Sequence, residues 1–106
     1  MASKMRWVSC FNMEKELLTI INISPDNTIH DIVRKILKLP KLIKDRPFRL
    51  HKGSGGGTSS HPIVRDDFSQ NAFKYFSKED DVILLELMSE EEAEHYKVNY
   101  VQSASS

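Results

Sequence analysis

Four histidines, one cysteine and a few acidic clusters carry the chemistry needed for metal binding or catalysis in this chain. His30, His51, His61 and His95 are scattered. No two stand four apart, and none joins Cys10 or a carboxylate at ligand spacing, so no metal site is read. Nucleophilic catalysis needs a nucleophile, a base and an orienting group that converge. Cys10 has no local signature of that kind and reads as a small buried hydrophobe. Asp66–Asp67, Asp80–Asp81 and the Glu90–Glu94 cluster read as solvated turn and surface charge. Gly53–Gly57 (GSGGG) holds all four glycines. It lacks the spacing of a phosphate-binding loop, and no clear helix follows to offer its N-terminus, so it reads as a flexible loop. No enzyme and no cofactor are expected.

The remaining candidate chemistry is positive charge. Arg34, Lys35 and Lys38, then Lys41, Lys44 and Arg46, fall within thirteen positions, with Asp45 the only carboxylate among them. Cations at a helix C-terminus complement its dipole by about 0.3–1 kcal/mol each. Six exceed what a helix end requires, and the excess suits an acidic partner. The chain as a whole has a formal net charge of zero over 106 residues. That argues against a general nucleic-acid binder, since those usually carry a net basic field.

Length predicts one domain, with a core that needs no disulfide or metal. A lone cysteine allows no internal disulfide and favours a reducing, cytoplasmic setting. No apolar run reaches membrane-spanning length, and the N-terminal stretch has no apolar signal region. Residues 1–3 and 103–106 read as disordered ends, and 89–102 as an extension of a domain over 4–88.

Elements must position the cations. Lys4–Asn12 reads as a strand, Asn12–Glu16 as a turn and Leu17–Ile23 as a second strand, together a hairpin. On the second strand, Leu17, Thr19, Ile21 and Ile23 alternate with Leu18, Ile20 and Asn22. Thr28 and Asp31 have capping-box spacing, and Ile29, Ile32, Val33, Ile36 and Leu37 form one apolar helical stripe that Pro40 ends. Arg46–Gly53 alternates as a strand, residues 53–61 form the glycine-rich loop, and Ile63–Arg65 is a short strand. Phe68, Phe73, Tyr75 and Phe76 surround a helical turn or loop. Val82–Leu87 is apolar on both faces and reads as a central buried strand. Ser89–Tyr100 is ambiguous: Ser89 and Glu92 have capping-box spacing, while Tyr96, Val98 and Tyr100 alternate. The order predicts an α+β ubiquitin-like β-grasp: a mixed four- to five-stranded sheet, first and last strands parallel, with one main helix across it.

The stretch Ile21–Leu42 resembles the Ras-binding and Ras-association domains, most nearly the Raf-type pattern. Ile21-Asn22-Ile23 matches its apolar-Asn-apolar triplet, Thr28-Ile29-His30-Asp31 its helix opening, and Lys35 and Lys38 its lysine pair. Looser similarity spans roughly residues 5–88. The resemblance implies a non-catalytic module that binds a GTP-bound Ras-family GTPase. Its second strand would extend the GTPase sheet. Its site would comprise Arg6 on the first strand, Lys15 at the entrance of the second, Leu18 and Ile20 along it, and Arg34, Lys35, Lys38 and Lys41 from the helix region. It further implies a monomeric module of a larger signalling protein, recruited to membranes only through its GTPase. The pattern carries cations on its second strand, and Leu17–Ile23 has none; its arginine after the lysine pair is Pro40 here. A second expectation is a scaffold domain resembling the Phox/Bem type, pairing basic face to acidic face with another signalling domain.

Overall fold

The computed structural model describes residues 5–43, 46–54, 59–89 and 91. Strand β1 (Arg6–Asn12) turns into β2 (Leu17–Ile23), and helix α1 (Ile29–Leu37) leads to a short turn α2 (Pro40–Ile43). Strands β3 (Phe48–Ser54) and β4 (Ser59–Pro62), the turn α3 (Ala72–Tyr75) and strand β5 (Val82–Leu87) complete the order. The sheet runs β2-β1-β5-β3-β4, with β1 and β5 parallel and the other neighbours antiparallel. This is the expected β-grasp, with β5 in the middle.

Local chemistry sets the helix. Thr28 Oγ1 accepts from Asp31 N–H at 3.3 Å, and Asp31 Oδ2 accepts from Thr28 N–H at 2.9 Å. Two otherwise orphaned donors are satisfied. That bond to the Thr28 N–H is the main reason the Asp31 carboxyl is held below the ordinary carboxylate range. Ile29, Ile32, Val33 and Ile36 are buried, and Leu37 packs at the margin. They meet Val8, Cys10, Ile21, Ile23, Phe48, Leu50, Ile83 and Leu85, the alternate residues of one sheet face. Each such aliphatic side chain contributes roughly 1.5–3 kcal/mol when removed from water. Cys10 is fully buried in this core, and burial pushes its thiol up to about 12.

The other sheet face has no described helix over it. Trp7 pairs with Asn22, and Ser9 with Ile20. Trp7 is 68% exposed and Ile20 49%.

Four expectations change. The regular alternation of β2 breaks, because Cys10 pairs with Thr19 while Phe11 pairs with Leu17, leaving Leu18 in a bulge. Leu17 thereby joins the open face and Leu18 packs against the core. The loop expected over 53–61 is mostly hairpin: Gly53 and Ser54 pair with Ser60 and Ser59, and only 55–58 lie outside the described residues. The short strand expected at Ile63–Arg65 falls earlier, at Ser59–Pro62, and Arg65–Asp67 is a 3-10 turn. Asp81 is buried rather than solvated. Its carboxylate accepts from Lys78 N–H at 2.9 Å and Ser54 Oγ at 3.3 Å, with Lys52 Nζ at 3.9 Å. A buried carboxylate with these partners avoids the cost of an unpaired charge.

Of the extension expected over 89–102, only Ser89 and Glu91 are described. Residues 1–3 and 103–106, with Lys44 and His95, lie outside the described residues. No helix among the described residues is long and apolar enough to cross a membrane.

Candidate functional site, a basic-rimmed groove at the edge strand

Strand β2 is an edge of the sheet. Its sequence, LLTIINI, contains no charged residue and no proline. Edge strands are usually blunted by such residues, because their unpaired backbone groups offer a template for another strand. Here the charge sits beside the edge instead. Leu18, Thr19, Lys38, Leu39, Lys41 and Leu42 line a groove of about 300 Å³ between β2 and the α1–α2 junction. The leucines make its floor and the lysines its rim.

Two local features build the groove. The bulge turns Leu18 to the helix side of β2. The α1–α2 junction then supplies the opposite wall: Lys38 is the C-cap of α1, and Pro40 opens α2. Proline suits the first position of a helical turn, where its missing N–H is not needed. Leu39 and Leu42, three apart across that proline, therefore face the same hollow. This contribution escaped the sequence reading, which ended the helix at Pro40. The leucine spacing and the N1 proline were the available signals.

The residues singled out from the sequence do not all meet. Leu18, Lys38 and Lys41 do. Arg34 lies exposed on α1. Lys35 is partly buried and donates to the Asn22 carbonyl of β2, with Asn27 Oδ1 at 3.5 Å. It ties the helix to the strand. Lys15 is exposed in the hairpin turn, at φ +65°. Its N–H donates to the Asn12 carbonyl at 3.0 Å. Ile20 belongs to the open face, opposite the groove. Arg6 pairs with Ile23 on the core-side face. Its guanidinium lies over the Phe73 ring, 4.8 Å from the centroid, and its buried Nε has no hydrogen-bond partner. Arg6 is thus at the α3 end of the molecule, apart from the groove.

A second cleft, of about 480 Å³, continues from the first toward the hairpin turn. It shares Leu18, Lys41 and Leu42 with the groove and adds Met13, Arg46 and Leu87. Glu14 and Glu86 line it too, so the second cleft carries both signs of charge and the lysine-rimmed groove only one.

Comparison with solved structures defines the class of domain. The C-terminal ubiquitin-like domain of mouse tubulin-specific chaperone e is similar at a TM-score of 0.57 and 14% identity, covering 84% of this chain and 92% of that one. The RA (Ras-association) domain of Rasip1 is similar at a TM-score of 0.50 and 14% identity, covering 88% of this chain and 96% of that one. The chain therefore has the ubiquitin-like β-grasp fold that those two domains share. No protein-family model matches it, and no curated protein is similar to it in sequence.

Proposed function

We propose that this chain is a non-catalytic interaction module that binds a GTP-bound Ras-family GTPase along β2. The observation that carries the reading is an uncharged edge strand lying against a lysine-rimmed apolar groove. The fold shared with the Rasip1 Ras-association domain supports it, as does the match of Ile21–Leu42 to the Ras-binding pattern. Main-chain pairing at β2 would hold the partner strand, and the groove would take one of its apolar side chains. Lys38 and Lys41, with Lys15 and Arg34 further out, would meet carboxylates and steer association.

Charge also disfavours self-pairing. Two copies joined through β2 would each bring the exposed Lys38 and Lys41 beside that edge. Like charges brought together cost energy, whereas an acidic partner strand relieves them.

The test is binding to a panel of Ras-family GTPases in both nucleotide states. Selective capture of a GTP-loaded member is expected. Equal binding of both states, or binding to none, would overturn the reading.

A further inference from the structure

The hairpin turn decides which backbone groups β2 leaves open. Asn12 N–H donates to the Glu16 carbonyl, and the Asn12 carbonyl accepts from Lys15 N–H, both at 3.0 Å. Asn12 therefore turns both groups toward β2. By alternation along β1, so do Cys10, Val8 and Arg6. The extra residue of the bulge lies on β2 and leaves that alternation intact. Ser9 and Trp7 turn their groups away from β2. Their partners there, Ile20 and Asn22, thus bond nothing on β1 and point N–H and C=O out of the sheet edge. One of these outward acceptors is already taken. Lys35 Nζ, reaching across from α1, donates to the Asn22 carbonyl, with Asn27 Oδ1 3.5 Å from the same ammonium. Asn27 Oδ1 is itself fixed by Ser24 N–H at 2.9 Å. Lysine on an edge strand is a common way to blunt it. Here β2 has no charge of its own, and the helix supplies the lysine.

We propose that Lys35 guards this edge against a second copy of the chain. A strand added along β2 needs the outward groups of Ile20 and Asn22 together, because the bulge interrupts the ladder on their N-terminal side. To bond Asn22 it must take the carbonyl oxygen from a charged donor, whose hydrogen bonds are stronger than a neutral amide's. It must also leave a partly buried ammonium without that partner. A copy of this chain has nothing to give the ammonium in exchange. The residues its β2 would set on the helix side are Thr19, Ile21 and Ile23, the partners of Cys10, Val8 and Arg6, and none carries a carboxylate. The guard acts on the free chain and does not depend on the GTPase reading above.

Sedimentation velocity of the full chain over a concentration series tests the guard. Salt near 1 M shortens the screening length to about 3 Å and mutes the repulsion of Lys38 and Lys41. Under those conditions the parent should remain monomeric. Lys35→Met, which keeps the apolar stem and removes the donor, should dimerise with an association constant roughly tenfold or more above the parent's. Adding Ile20→Pro should return Lys35→Met to the parent's level, since it removes an outward N–H that bonds nothing on β1. A Lys35→Met chain that associates no more than the parent, or a dimer that survives Ile20→Pro, would overturn the proposal. A second measurement needs no variant. In the unaltered chain, the Lys35 ammonium protons should exchange with water more slowly than those of the exposed Lys38 and Lys41, giving an NMR signal that persists on warming after theirs are lost. Equal exchange at the three lysines would overturn the guard just as surely.

Discussion

Lys15 occupies the left-handed region at φ +65°, where a Cβ costs roughly 1–2 kcal/mol. Asn12 holds the turn in this shape, its Oδ1 accepting from the N–H groups of Glu14 and Glu16 at 2.9 Å each. Lys15→Gly should therefore raise stability by about 1 kcal/mol, read as a higher urea midpoint. Lys38 makes the opposite kind of case. It sits exposed on the groove rim, so Lys38→Glu should leave the urea midpoint within about 0.5 kcal/mol, apart from a modest helix-dipole loss. It should weaken binding to the GTP-loaded partner roughly tenfold or more, about 1.4 kcal/mol, in a titration beside Lys41→Glu, for which the same is expected. Cys10 gives a pH signature. Its folded thiol is pushed up from 9.0 to about 12 by burial, so the unfolded chain ionises first as pH rises. The stability it contributes is whole below the unfolded pKa and drains away above it. Between about pH 8.5 and 10.5 the parent should lose stability more steeply than Cys10→Ala, measured as urea midpoints across the range.

Helix α1 carries the core on one stripe, so its inner positions tolerate no charge. Ile36→Asp and Ile32→Asp should each abolish cooperative unfolding, because a buried unpaired carboxylate costs several kcal/mol. A near-native thermal melt of either variant would contradict the packing described. This helix was legible beforehand, since the 3.6-residue spacing of five aliphatics and the Thr28–Asp31 box leave few alternatives. Strand β5 was legible for a similar reason, being apolar on both faces. The elements that escaped are those held by backbone rather than by pattern. Strand β4, SSHP, has no apolar face and exists because β3 offers it a ladder. The bulge at Leu18 leaves a sequence that looks evenly alternating, and it decides which leucine joins the groove. Arg6 was placed from its strand position alone. The register that sends it toward Phe73 depends on how Ile23 pairs. Of the candidate site, the lysines were therefore readable and the groove between them was not.

Over the whole molecule, fifteen basic and fifteen acidic residues cancel. The cancellation is not local, because cations gather along α1 and α2 and glutamates follow β5. Association with an acidic partner should thus slow as salt rises, even though the net charge is zero. Stopped-flow rates from low salt to about 0.5 M should show the on-rate falling while the dissociation rate changes less. An on-rate indifferent to salt would remove steering from the account. The same measurement on Lys38→Glu should give a shallower dependence.

The pairing of β1 with β5 also bears on how the protein is made. Cys10 and Ile83 are partners, yet they stand 73 positions apart in the chain. On a ribosome, the inner flank of β1 must wait for those residues, roughly 4–15 s at 5–20 residues per second. Through that interval the nascent hairpin has two unpaired flanks rather than one, with Trp7 and Ile20 already in water. Closure then comes as a late, long-range event, the kind of loop closure that slows folding. Chaperone capture during synthesis should peak before Val82–Leu87 clears the exit tunnel and fall once it has.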